Sequence, residues 1–197
     1  MSTFSKLVAA AAAVAAVAVL GVAPGAAQVT NTGPERFTAF AINMNASRPT
    51  EAATTVDIVI NRYSTNAERD RLREAFRAKG QDGLLDALQK LSAVGYLTTP
   101  GSLRYDVHFA RQRPLPEGGR RIFLLTDRRI NYWEAASGSR TLDYPFTLIQ
   151  LQLDRSDTGV GKLNIAAKIT GSEDTVIEIE DFAAQPVQLN NVHKVKS

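Results

Sequence analysis

The chain has no cysteine. Disulfides, thiolate-bound zinc, a thiol nucleophile and an acylated lipoprotein cysteine are therefore excluded. Histidine is almost as scarce, with two in 197 residues, which leaves little room for acid–base or metal schemes. Signatures with a mechanical meaning are missing as well: there is no G-x-S-x-G elbow, no H-E-x-x-H, no true phosphate loop and no dinucleotide fingerprint. No cofactor is expected. Charge is nearly balanced, 23 basic against 20 acidic residues for a net +3. A nucleic-acid binder concentrates basic residues beside stacking aromatics, so no nucleic-acid partner is expected.

Long apolar runs are confined to one place. Lys6 precedes an alanine-rich stretch over residues 7–22, followed by Ala23-Pro24-Gly25-Ala26-Ala27. A short basic region, an apolar region and small residues before a cut define a signal peptide, so residues 1–27 are expected to be removed and 28–197 to form a single mature domain. No later run is long enough to span a bilayer as a helix. The expected product is secreted or periplasmic, and a disulfide-free exported chain suits a bacterial envelope. A domain of this size can hide enough apolar surface to fold without staples.

What the mature chain does have is period-two patterning. Thr147, Ile149, Leu151 and Leu153 alternate with Leu148, Gln150, Gln152 and Asp154; Leu163 and Ile165 alternate with Lys162 and Asn164; Ile177 and Ile179 alternate with Glu178 and Glu180. This is the signature of half-buried strands in a meander. Earlier strands are expected over residues 36–47, 54–63, 102–109 and 121–126, with Leu103, Tyr105, Val107 and Phe109 pointing inward. Thr65-Asn66-Ala67-Glu68 is a capping box. It starts a helix with Leu72, Ala75 and Phe76 on its buried side, Gly80 stops it, and a second helix carries Leu84, Leu85, Leu88 and Leu91. The fold expected is α+β: mainly antiparallel sheet, partly closed as a barrel or packed as a sandwich, with two short helices inserted near residues 65–94.

Candidate chemistry is thin. Asp106 and His108, two apart in a strand, would share a face, where a carboxylate can orient an imidazole as general base. Arg111, Arg113, Arg120 and Arg121 bracket a Pro- and Gly-rich turn and could grip an anion, with Arg128 and Arg129 nearby. Tyr132 and Trp133 are adjacent aromatics, one able to fill the core while the other lines a groove. Gly159-Val160-Gly161-Lys162 mimics a phosphate loop but enters a strand, and its glycines suit a turn. Asp154, Ser156 and Asp157 could offer oxygens to calcium, although the spacing is that of a hairpin. The first expectation is a non-catalytic exported module holding an anionic, carbohydrate or protein partner in the envelope through the arginine hairpin and Tyr132-Trp133. A hydrolase or lyase using His108 and Asp106 is the second, and a structural subunit joining through sheet edges the third.

Overall fold

Nine of the ten strands lie along one path, which would leave two raw sheet edges, and here the two edges are halves of one bent strand. The computed structural model describes residues 34–44, 46, 52–127, 145–171, 177–181 and 186–195. Residues 1–27, expected to be a signal peptide, and Arg128, Arg129, Tyr132 and Trp133 lie outside the described residues. The strands are β1 (Glu35–Ile42), β2 (Ala53–Ile60), β3 (Gly95–Thr98), β4 (Tyr105–Val107), β5 (Phe109–Pro114), β6 (Arg120–Thr126), β7 (Phe146–Leu153), β8 (Thr158–Gly171), β9 (Ile177–Asp181) and β10 (Val187–Lys194), with the helix α1 (Asn66–Gln89) between β2 and β3.

The spatial order is β4-β3-β2-β1-β10-β8-β7-β6-β5, with β9 added on β8, and every pairing is antiparallel. Since β4 runs straight into β5, the meander curls into a nearly closed barrel. At His108 the chain changes partners, from β3 on one side to β6 on the other, and His108 N–H donates to the Leu125 carbonyl at 3.1 Å. Ser64, fully buried after β2, completes the closure. Its N–H donates to the Ala110 carbonyl at 2.8 Å and its hydroxyl accepts from the Ala110 N–H at 3.0 Å. A Ser64→Ala chain leaves that buried N–H without its acceptor, and a loss of about 1–3 kcal/mol in urea unfolding is expected.

The barrel interior is packed with side chains. Phe37, Ile58, Leu97, Ile122, Leu124, Ile149, Leu151 and Leu163 belong to one buried cluster fed by nine strands. A second cluster lies outside the barrel wall, where Leu72, Leu84, Leu88 and Leu91 cover Leu125 and Phe146, with Phe109 and Leu148 at its margin. This explains why β6 is apolar on both faces: one side meets the lumen and the other meets the helix.

The helical expectation is met in part: residues 66–89 form one element that is broken at Lys79 (φ −140°) and Gly80 (φ 59°), where only Gly enters the left-handed region without a Cβ penalty. Two other expectations are corrected by the backbone. Leu103 is 85% exposed in the turn before β4, and Phe109 faces the helix, because the bend at His108 shifts the alternation by one. Gly159 and Gly161 lie in β8 and not in a turn. A Cβ on Gly161 would sit 2.8 Å from Leu151 Cδ2, and one on Gly159 would collide with the Gln152 carbonyl, so these glycines let β8 approach β7 closely.

Candidate functional site

Both tight turns beside β6 and β7, the start of β1 and the end of β10 meet at one end of the barrel. Glu35, only 1% exposed, lies there among cations. Arg120 Nη2 donates to Glu35 Oε1 at 2.8 Å and Nη1 to Oε2 at 3.0 Å, a two-pronged pair suited to the planar guanidinium. Lys194 Nζ donates to Oε1 at 2.7 Å and the Tyr63 hydroxyl to Oε2 at 2.6 Å. Arg120 is further held by Asp157 Oδ1, 2.9 Å from Nε, and by Gln112 Oε1, 2.8 Å from Nη1. Six side chains from β1, the β2–α1 link, β5, β6, the β7–β8 turn and β10 thus form one clasp.

Its electrostatics follow from burial and pairing. Burial alone would raise the Glu35 carboxyl, but hydrogen bonds from Arg120, Lys194 and Tyr63 outweigh it and hold the group at about 2. The Tyr63 phenol is pushed above its ordinary range by burial and then by the Glu35 carboxylate. Burial works against the Arg120 charge, yet Glu35 and Asp157 raise its pKa overall. Each member is matched by another, which is the arrangement of a structural closure. Above the clasp lies an open depression of about 330 Å³ lined by Arg113, Arg155 and Lys194 among others.

The hairpin tips are locally determined. Gly119 has φ 81°, and a Cβ there would strike the Leu153 carbonyl; Gly118 is also left-handed, at φ 93°. In the β7–β8 turn Asp157 takes the left-handed position at φ 59°, a conformation Asp tolerates. Asp154 accepts from the N–H groups of Thr158 and Ser156 and from the Thr158 hydroxyl, and these bonds hold its carboxyl below the usual range. Asp154 is therefore a turn-forming residue. Among the described residues no His, Asp and Glu group is arranged to hold a metal ion.

The four hairpin arginines separate onto two faces. Arg120 turns inward into the clasp. Arg111, Arg113 and Arg121 point outward, and Arg113 stands directly opposite Arg121 across the ladder. Arg121 Nη2 donates to Gln152 Oε1 at 3.1 Å, while its buried Nε has no partner among the described residues. Arg111 Nη1 donates to Asn66 Oδ1 at 3.1 Å. Burial, and then the nearby Arg69 and Arg113 charges, lower the Arg111 guanidinium. Like charges opposed on a sheet destabilise it. Here they are held together without an acid in the same cross-strand rows.

His108 and Asp106 have different partners. Asp106 is paired with Arg104 at 2.9 Å. His108 Nδ1 lies 2.8 Å from the Leu91 carbonyl, which can only accept, so Nδ1 carries the proton; Nε2 lies 3.5 Å from Asp127. His193 is half-buried beyond a bulge in β10, its Nδ1 donating to the Asn191 carbonyl at 2.9 Å. Sequence reading missed Glu35, Tyr63, Gln112, Lys194 and Asp127, and singled out Asp157 as a calcium candidate where the structure makes it a partner of Arg120. Their separations of up to 159 residues leave no local pattern to read. The chain matches no protein-family model, no curated protein and no solved structure.

Proposed function

We propose that the protein is an exported, non-catalytic binding module of the cell envelope that holds an anionic group on the outer face of the β5–β6 hairpin. The observation that carries this reading is the direct opposition of Arg113 and Arg121, with Arg111 one pleat away on the same face. Two guanidinium groups in register cost stability in the free protein and gain it back when an anion sits between them, because each can donate two parallel hydrogen bonds to a phosphate, sulfate or carboxylate. The leader over residues 1–27 supports export. Arg120 takes no part in this surface, its donors being committed to Glu35, Asp157 and Gln112.

The test separates binding from folding by sign. In Arg113→Glu the repulsion across the ladder becomes an attraction, so unfolding stability is expected to stay level or rise by about 0.2–1 kcal/mol. Retention on immobilised dextran sulfate or polyphosphate at low salt is expected to fall at least tenfold, as about 1.4 kcal/mol or more of charge-assisted bonding is lost. Unchanged retention in a folded variant would remove the reading.

A further inference from the structure

The outward face does not end at the arginines. The ladder registers place Arg111, Phe123, Gln150, Lys162 and Gln188 in one line across β5, β6, β7, β8 and β10. A parallel line holds Arg113, Arg121, Gln152 and Val160. Four strand spacings give the first line a reach of about 19 Å. Together the lines carry four cations and no carboxylate, with Phe123, Gln150 and Gln188 half-exposed and Gln152 and Lys162 open to solvent. A depression of about 520 Å³, whose lining also includes Glu117, Asp154 and Arg155, adjoins Gln152 and Val160 at the hairpin tips.

We infer that these lines seat an acidic polysaccharide laid across the strands, with Arg111, Arg113, Arg121 and Lys162 meeting its carboxylates or sulfates, Phe123 supporting a sugar face, and the glutamines meeting its hydroxyls. The inference rests on the anion-binding reading and adds the class of ligand. The mixture of side chains points to a sugar. A lone phosphate or sulfate needs donors only, whereas a sugar hydroxyl both donates and accepts, and a glutamine amide offers both from one side chain. Gln188 Nε2 is engaged with the Pro186 carbonyl at 3.3 Å, which turns its oxygen into the acceptor on offer. A half-buried aromatic ring provides a flat apolar surface for the C–H face of a sugar. A single-stranded nucleic acid would call for successive aromatic platforms, one per base; the two lines hold one aromatic.

The experiment titrates the full chain by calorimetry with short and long oligogalacturonates, sodium sulfate, neutral dextran and oligothymidylate. Affinity for the oligogalacturonates is expected to rise with length until the line is spanned, and dextran to stay unbound. Phe123→Ala and Gln150→Ala are each expected to weaken the long oligomer about tenfold while leaving sulfate binding as it was. Gln150→Ala keeps the test readable if Phe123→Ala disturbs the sheet, with circular dichroism confirming the fold. Equal binding of sulfate, short and long oligomers, unaffected by Gln150→Ala, overturns the polysaccharide while the anion reading stands. Tighter binding of oligothymidylate than of oligogalacturonate overturns it in favour of nucleic acid. No binding of any probe at low salt removes both readings.

Discussion

Glu35→Gln is expected to lower the unfolding free energy by about 3–5 kcal/mol, because it leaves the Arg120 and Lys194 charges in a half-buried place with Asp157 as their sole carboxylate in the clasp. Gln keeps the size and one acceptor oxygen, so packing is little changed and the loss reports the charge. Replacing the pair together, Glu35→Met with Arg120→Met, is expected to recover much of the deficit, since an apolar pair carries no desolvation cost. A Glu35→Gln loss below about 1 kcal/mol would mean that the clasp is decorative.

The same group sets an acid limb for stability. Glu35 is held at about 2 against an ordinary 4.5, so its folded-state pKa is depressed. Its contribution is complete above about pH 4.5 and is lost as the pH falls toward 2, a total of about 3 kcal/mol at about 1.4 kcal/mol per pH unit. Urea unfolding followed from pH 6 down to pH 2 should show that decline in the natural chain. The Glu35→Gln chain should show a flatter curve across the same window.

Phe146→Ala is the second large effect. The ring is wholly buried on the outer wall of β7, between that wall and Leu72, Leu84, Leu88 and Leu91 of the helix layer. Removing it is expected to cost about 3–5 kcal/mol, the lost transfer of the ring together with the void it leaves. The loss should be local in character: faster amide hydrogen exchange is expected across α1, while β1 and β2 on the opposite side of the barrel keep their protection. Uniform acceleration across all strands would show that the helix layer and the barrel are a single cooperative unit.

The strands could be read from the chain because alternation is a local property and the barrel buries one face of each stave. Thr147, Ile149, Leu151 and Leu153 face the lumen as their spacing requires. The reading failed where the phase of the alternation slips. At His108 a change of partners turns Phe109 outward, and at the bulge between Leu189 and Val192 the buried position moves from Asn191 to Val192. Neither slip is marked by a glycine or proline. The capping box at Thr65 and Glu68 was legible for the opposite reason, since all of its bonds close within four residues. The clasp was invisible: Glu35 sits at the edge of a polar lead-in, and its partners come from elements brought together only by barrel closure. The basic face was half visible. Arginine density was plain, but the division between Arg120 inside and Arg111, Arg113 and Arg121 outside depends on strand register, and Phe123, Gln150 and Lys162 join them only once that register is known.

The seam of the barrel joins its first strand to its last, Phe37 beside Lys194 and Ile42 beside Gln188. A ribosome delivering this protein in order makes β1 long before the strand that covers its second edge. Until residue 187 has been synthesised the wall has a gap one strand wide, and the clasp lacks its lysine. Such a chain stays unfinished for as long as its tail is still to come.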